Sequence, residues 1–275
     1  MTQPYIIVLG NEKGGTGKST LAMHIIVSFL KSGSSVASLD LDARQGTLSR
    51  YLANREKTRK DYDLLIPTHV SILASDNPDR KAAEQEDSEH FSDALTQFQD
   101  FDYVVIDTPG NNTPLSRVAH ACADTLITPL NDSFIDLDLL VRVETGAMDA
   151  LHPSVYSASV WDYKKEKASR SGLPMDWIVL RNRLSPLYSK NKEEMFRILK
   201  SLSKRIGFRL LDGFCERVIF RELFINGTTL LDLLDIETAL TLSHVAARKE
   251  LRDLMAALEI PVQRRALEEK EAKVA

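Results

Sequence analysis

Apolar residues follow two different spacings along the chain, and these predict alternating strands and helices. Six short runs rich in valine and isoleucine are continuous, which is typical of strands buried on both faces of a parallel sheet. These runs cover residues 5–10, 35–40, 69–74, 102–107, 125–130 and 177–182. Directly after the first run, Leu21, Ile25 and Phe29 recur at helical spacing, which predicts a helix over residues 18–30. The sequence therefore predicts an α/β fold with a doubly wound, mainly parallel sheet.

The length of 275 residues and the regular alternation favour a single domain, which we place at residues 1–258. Two polar stretches interrupt the alternation. We expect residues 76–89 to form a surface excursion before a helix and residues 152–174 to form an insertion. Residues 259–275 contain few apolar anchors, so we expect a loosely ordered C-terminal tail.

Composition narrows the classes of protein that fit. With 43% apolar and 27% charged residues, the chain resembles folded soluble proteins, and a net charge of -4 excludes a uniformly basic coat for nucleic acid. The two cysteines, Cys122 and Cys215, are too few for a disulfide scaffold and fit a reducing compartment. A signal peptide and an apolar run of about 18 residues are both lacking, so we expect a cytoplasmic protein without a membrane anchor.

A glycine-rich loop, GNEKGGTGKST at residues 10–20, joins the first strand to the first helix. The general phosphate-loop pattern requires glycine where this chain has Glu12, so the loop is a variant. Its glycines still allow a tight turn that aims backbone N–H groups at phosphate oxygens. We expect Lys18 to hold the β and γ phosphates, Ser19 to bind Mg²⁺ and Thr20 to contact the α phosphate. The predicted nucleotide contacts in the loop are Gly14, Gly15, Thr16, Gly17, Lys18, Ser19 and Thr20.

Acidic residues follow two of the predicted strands, at the sheet edge where doubly wound folds bind ligands. We predict Asp107 as a Mg²⁺ ligand through water, with Asp40 as a further metal ligand and Gly110 near the γ phosphate. Asp42 is our candidate for orienting the attacking water. A helix-capping or turn role remains open for the aspartates.

A second lysine, Lys13, lies five positions before Lys18. The resulting KGGTGKST resembles the deviant Walker A signature of the ParA/MinD family of ATPases, and the DLD and VVIDTPG segments resemble its two switch regions. The resemblance implies a P-loop fold that uses ATP and Mg²⁺ and hydrolyses ATP to ADP and phosphate. It also implies a nucleotide-sandwich homodimer in which Lys13 and Gly14 contact the partner subunit, Lys18 acts within its own subunit, and Asp42 supports hydrolysis.

Longer stretches, such as SLDLDARQGTLSRYLANR, are similar to the MipZ branch of that family, whose members position the division plane. The DARQ sequence at residues 42–45, where most ParA proteins have DPQ, favours this branch. The likeness implies slow hydrolysis coupled to monomer–dimer cycling, non-specific DNA binding, ParB and FtsZ as partners, and association with the nucleoid and cell poles. A ParA-type partition ATPase is the alternative. In relatives, an Asn after the strand matching WIVLRN contacts adenine, which makes Asn182 the candidate here, with a strand-capping role still open.

Charge is segregated along the chain. Residues 181–222 contain 11 basic and five acidic residues, a local excess of six positive charges. Met195, Leu199 and Leu202 share one face of a predicted helix, and basic residues lie opposite them. This pattern fits either a solvated helix face or a surface that contacts DNA phosphates. The candidate DNA contacts are Lys190, Arg197, Lys200, Lys204, Arg217 and Arg221.

Three other functions remain open at this point. An iron–sulfur reductase with the same variant loop would need two cysteine ligands in each subunit. A small-molecule phosphotransferase or ligase would turn over ATP briskly with a metabolite. A MinD-like protein that cycles on membranes would need an apolar helical face, which the last 17 residues do not form.

Overall fold

The computed structural model of the protein describes residues 3–143, 151–185 and 190–262, and seven strands within them form one sheet. These strands are β1 (Tyr5–Leu9), β2 (Val36–Asp40), β3 (Thr68–Ser71), β4 (Tyr103–Asp107), β5 (Thr125–Asn131), β8 (Asp176–Asn182) and β9 (Arg209–Asp212). Their order is β3-β2-β4-β1-β5-β8-β9, and all neighbours are parallel. Two further strands, β6 (Val141–Val143) and β7 (Leu151–Pro153), pair separately and antiparallel. The predicted α/β fold is confirmed.

Helices cover both faces of the sheet. They are α1 (Lys18–Lys31), α2 (Thr47–Thr58), α3 (Arg80–Gln97), α4 (Pro114–Cys122), α5 (Phe134–Leu137), α6 (Val155–Ser171), α7 (Lys190–Leu202), α8 (Ile219–Asn226) and α9 (Leu242–Leu258). Side chains of α1, α2, α8 and α9 pack in one core with one face of the sheet. Those of α3, α4, α6 and α7 pack in a second core on the other face. As predicted, the helix at 190–202 buries Met195, Leu199 and Leu202.

Two expectations for the polar stretches are wrong. Helix α3 already begins at Arg80, where the Asp79 side chain accepts hydrogen bonds from the backbone of Lys81 and Ala82, so most of the predicted excursion is helical. Residues 155–171 form α6, an integral helix of the second core and not an insertion. Both helices bury few positions, so their charged outer faces dominate the sequence pattern. Strand β9 was not predicted.

The predicted C-terminal boundary stays a prediction. Helix α9 ends at Leu258, and residues 263–275 of the predicted tail lie outside the described residues. In the described part of the chain, no helix has both the length and the apolar character required to cross a bilayer.

Strand register brings three chain segments to one edge of the sheet. Asp40 at the end of β2 is paired with Asp107 at the end of β4, and Asp107 is paired on its other side with Leu9 at the end of β1. Because all three strands are parallel, the loops that follow them emerge side by side. The glycine-rich loop and both acidic segments therefore surround one space.

Two histidines, His24 on α1 and His120 on α4, are fully buried. The His24 ring contacts the Thr20 carbonyl through Nδ1 at 2.8 Å and accepts the Leu230 N–H through Nε2 at 3.3 Å. His120 contacts the Ser116 carbonyl at 2.6 Å. Burial disfavours the charged ring and lowers the pKa of each to about 4. Both rings are therefore neutral at pH 7.

This burial predicts a loss of stability in mild acid. Each histidine has a folded-state pKa below its unfolded value near 6.5, so the unfolded chain binds more protons as the pH falls below that value. The full contribution is present above pH 6.5, and about 2 kcal/mol per histidine should be lost between pH 7.5 and 5. Urea unfolding at pH 7.5 and at pH 5 measures this change in the free energy of unfolding. His24→Gln should show a shallower pH dependence than wild type, whereas His90→Gln, at an exposed position, is the matched control; equal slopes in all three proteins would contradict the assignment.

Candidate functional site

An open cleft of about 690 Å³ lies at the edge where the three loops meet. Its lining comes from the glycine-rich loop, from the segments after β2 and β4, and from the end of β8. These lining residues are Gly14, Gly15, Thr16, Gly17, Lys18, Ser19, Thr20, Asp42, Arg44, Gln45, Thr47, Thr108, Pro109, Gly110, Asn111 and Arg183. The volume is in the range of a small-molecule site.

The backbone of the glycine-rich loop has the conformation that a phosphate cradle needs. Gly15 and Gly17 have φ angles of +76° and +91°, in the left-handed region that favours glycine. Helix α1 starts immediately afterwards, at Lys18, and its free N–H groups face the loop. A helix N-terminus next to a loop of this shape favours an anion.

Lys18 is the buried cation of the cleft. Its ammonium group donates to the backbone carbonyls of Lys13, at 3.0 Å, and Asn11, at 3.4 Å. Burial lowers the pKa of Lys18, while the charges of Asp107 and Asp42 act in the opposite direction. The side chain thus curls over its own loop, where phosphate oxygens would replace the carbonyls as stronger acceptors.

Asp107 and Ser19 form the part of the cleft that fits a magnesium ion. Asp107 is buried, and its Oδ1 has no hydrogen-bond partner in the described residues, while its carboxylate accepts a hydrogen bond from Ser19. Burial raises the pKa of Asp107 to about 7. No group of three or more His, Cys, Asp or Glu side chains within the described ranges could hold a metal ion by itself. Mg²⁺ usually keeps several waters and uses substrate phosphates, so one hydroxyl and one carboxylate suffice.

The two aspartates after β2 have different surroundings. Asp42 lines the cleft and is partly buried, and this burial together with the charge of Asp40 raises the pKa of its carboxyl group. Asp40 is fully buried, and its two oxygens accept hydrogen bonds from the backbone of Asp42 and from Ser49. Its role as a metal ligand stays a prediction, and these contacts already occupy both carboxylate oxygens.

Gly110 approaches the glycine-rich loop closely. A Cβ atom at this position would lie 2.8 Å from the backbone nitrogen of Gly14 and 3.0 Å from the carbonyl carbon of Lys13. The segment after β4 therefore packs directly on the loop, and a side chain at residue 110 would separate them. Gly110 also lines the cleft, and its contact with the γ phosphate stays a prediction.

Lys13 points away from the cleft of its own subunit. Its ammonium group forms an ion pair with Asp136 at 3.0 Å and donates to the backbone carbonyl of Ile135, both on α5. About a third of its side chain is exposed to solvent. The two lysines of the signature thus have separate positions, one inside the cleft and one at its outer surface.

A smaller cavity of about 270 Å³ adjoins the cleft beside Gly17 and Thr20. Asn182 lines it, with Nδ2 donating to the Thr16 carbonyl at 2.8 Å and Oδ1 accepting the Phe214 N–H at 3.1 Å. Arg183, which sequence reasoning missed, lines both cavities and has an unusual φ angle of +50°. Its place directly after Asn182 at a strand end was the available signal.

A family model described as ATPase MipZ matches residues 5–262. The chain belongs to the MipZ family of ATPases.

Two relatives of this MipZ-family chain are a partition protein and a division protein. A chromosome partitioning protein ParA from Myxococcus xanthus is 30% identical over 161 residues, which are 50% of this chain and 56% of that protein. A septum site-determining protein MinD from Helicobacter pylori is 26% identical over 204 residues, covering 68% of this chain and 70% of that protein. The chain therefore spans little more than half the length of the Myxococcus protein.

Solved structures confirm the fold of the MipZ-family chain. McdA from Cyanothece in complex with ATP superposes with a TM-score of 0.62 at 17% identity, covering 95% of this chain and 98% of that one. The cell division protein MinD from Aquifex aeolicus superposes with a TM-score of 0.55 at 15% identity, covering 94% and 99%. At such identities the likeness concerns the fold alone.

The basic region of this MipZ-family chain is partly neutralised by acids from elsewhere. Arg217 donates to both carboxylate oxygens of Glu250 on α9, at 2.6 and 2.7 Å, so Glu250 neutralises its charge. Buried Arg181 is paired with Asp132 at 3.0 Å. The other candidate DNA contacts are exposed on α7, on the π-helical turn Ser203–Gly207 that continues it, or on α8, namely Lys190, Arg197, Lys200, Lys204 and Arg221.

The cysteines of the MipZ-family chain lie in settings that disfavour an iron–sulfur centre. Cys122 is buried, its thiol donates to the Ala119 carbonyl, and burial raises its pKa to about 12. Burial also raises the pKa of Cys215, with the Glu250 carboxylate adding to the effect. Cluster ligation uses thiolates, and both environments favour the thiol.

Proposed function

We propose that the protein is an ATP-dependent switch of the MipZ type. ATP with Mg²⁺ binds in the cleft, two subunits associate face to face around two nucleotides, and slow hydrolysis separates them. The observation that carries this proposal is the division of the signature lysines, with Lys18 buried inside the cleft and Lys13 at its outer surface. From the outer surface of the cleft, Lys13 can reach the phosphates bound by a partner subunit.

Hydrolysis requires an in-line water and a stabilised phosphoryl group. Lys18 and the N–H groups at the start of α1 hold the β and γ phosphates. Asp42 accepts a hydrogen bond from the attacking water and orients it, a role that its raised pKa suits because the carboxylate is a stronger base. Ser19, and Asp107 through water, would hold Mg²⁺, which would supply charge neutralisation at the phosphates.

The adjoining cavity is the proposed site for adenine. Asn182 has one further N–H and one further lone pair beyond its two protein contacts, and both match the donor and acceptor edge of a purine. Phe214 and Phe220 also line this cavity and supply apolar surface for the ring. Thr20 borders both cavities, which suits a contact with the α phosphate between base and phosphate tail.

The exposed basic residues of α7 and its π-helical turn, with Arg221 on α8, are the proposed DNA surface. A dimer presents two copies, so weak phosphate contacts in a monomer become stronger through multivalency. Arg217 is left out because Glu250 neutralises it. From family membership we further propose ParB and FtsZ as partners, inhibition of FtsZ assembly as output, and a nucleoid and polar location. A ParA-type partition ATPase is the second candidate, favoured by the Myxococcus match.

Charge removal on α7 tests the DNA proposal. Lys200→Ala with Lys204→Ala removes two exposed charges per subunit, or four per dimer. With a non-hydrolysable ATP analogue and Mg²⁺, DNA affinity should fall at least tenfold, and the slope of log K against log salt should decrease by about 3 to 4. The matched control is Lys57→Ala with Lys60→Ala, an equal charge loss at the end of α2 and in the turn after it, on the other face of the sheet. Equal effects of the two pairs in fluorescence anisotropy would contradict the α7 surface.

A further inference from the structure

A buried carboxylate clasps the turn that carries Asp42. Asp40 accepts the Asp42 N–H through Oδ1 at 3.0 Å. Its Oδ2 accepts the Ser49 N–H at 2.9 Å and the Ser49 hydroxyl at 2.7 Å. One carboxylate thus ties together the start of the turn and the first turn of α2. The clasp thus holds the backbone of Asp42 against the start of α2.

His69 on β3 contacts the clasp from behind. Its Nε2 lies 3.0 Å from the Ser49 hydroxyl oxygen, and its Nδ1 lies 2.9 Å from the Ser38 hydroxyl oxygen. Ser38 on β2 and His69 are direct partners in the sheet register. The ring therefore bridges Ser38 in the sheet and Ser49 in the first turn of α2.

The available donors and acceptors fix the direction of each hydrogen bond between His69 and Asp40. The Ser49 hydroxyl donates its single hydrogen to the Asp40 carboxylate, so its oxygen accepts, and His69 Nε2 must carry the hydrogen between them. Nδ1 is then the acceptor for Ser38, whose alternative acceptor, the Thr68 carbonyl, is farther away at 3.5 Å. Burial lowers the pKa of His69, which favours this neutral ring.

We propose that His69 is a positioning residue for ATP hydrolysis, which fixes Ser49 and, through Asp40, the turn that presents Asp42. The proposal rests on the proposed function, because it presumes that Asp42 orients the attacking water. His69 does not line the cleft in the described structure. Its loss should therefore lower kcat while leaving ATP affinity unchanged.

Two amide substitutions separate the roles of the ring nitrogens. The side-chain amide of His69→Gln reaches the position of Nε2 and can still donate to Ser49, whereas that of His69→Asn reaches only the position of Nδ1. We expect His69→Asn to lower kcat about fivefold, with Kd for a fluorescent ATP analogue within about twofold of wild type. His69→Gln should keep kcat within about twofold. Wild-type kcat in both variants, or an equal loss in both, overturns the proposal.

Ser49→Ala completes the test. If His69 acts through Ser49, the double variant Ser49→Ala with His69→Asn should be no slower than Ser49→Ala alone, and additive losses overturn the proposal. Asp42→Ala is assayed alongside. Wild-type hydrolysis by Asp42→Ala would show that the proposed function of Asp42 has failed, whereas slow hydrolysis there with normal His69→Asn kinetics would show that only the His69 proposal has failed.

Discussion

The Asp42→Ala variant should hydrolyse ATP at least tenfold more slowly than the wild type and accumulate as an ATP-bound dimer. Orientation of the attacking water by a general base contributes on the order of 10²-fold or more to such reactions. The variant keeps Lys18, Ser19 and the loop backbone, so nucleotide binding should persist. Without hydrolysis the dimer loses its route back to monomers.

Phosphate release with Mg²⁺-ATP measures the hydrolysis rate. Light scattering after size exclusion, with ATP or ADP, measures how much dimer accumulates. Asp61→Ala is the matched control, because it makes the same chemical change at an exposed position after α2 that does not line the cleft. It should hydrolyse ATP within about threefold of the wild type. Wild-type hydrolysis by Asp42→Ala would remove Asp42 from the water-orienting role.

Lys13→Ala should bind ATP as a monomer and fail to dimerise. The cleft of the same subunit loses nothing, because the Lys13 ammonium group lies against α5 and Lys18 remains in place. A partly exposed ion pair contributes at most about 1 kcal/mol, so the variant should also stay folded. The expected loss falls on contacts with the phosphates of a second subunit.

Light scattering with a non-hydrolysable ATP analogue and Mg²⁺ gives the mass of the species formed. Asp136→Asn is the control, since it removes the charge opposite Lys13 and retains an oxygen that can accept the Asn131 N–H. This variant should still dimerise. If Asp136→Asn loses the dimer as completely as Lys13→Ala, the ion pair within one subunit, and not a contact in trans, would explain the effect.

Local patterns predicted six of the seven strands of the sheet and the chain segments that meet at its edge. The glycine-rich loop follows β1, Asp42 lies two residues after β2 and Asp107 ends β4, and parallel strands bring such ends to one edge. Helices α3 and α6 were misjudged because their buried faces are narrow and their charged faces dominate the pattern. Sequence periodicity detects the apolar stripe of a helix, and a sparse stripe gives a weak signal.

Pairings between distant segments could not be predicted. The charge count over residues 181–222 did not include Asp132 and Glu250. These two residues lie outside that range and neutralise Arg181 and Arg217. His69 was missed for the same reason, since its contact with Ser49 exists only once β3 lies beside β2. Tertiary contacts of this kind depend on the register of the sheet and leave no spacing rule in the sequence.

The side chain of Asn182 joins two cavities that a nucleotide would occupy together. It supports the phosphate loop at Thr16 while it lines the proposed base cavity. Under the proposed function, a change in the base moves a support of the phosphates, so the binding free energies of the two halves of the nucleotide are coupled and not additive. Discrimination between bases would then also affect how tightly the triphosphate binds, and a poorly fitting base would weaken binding of the entire nucleotide.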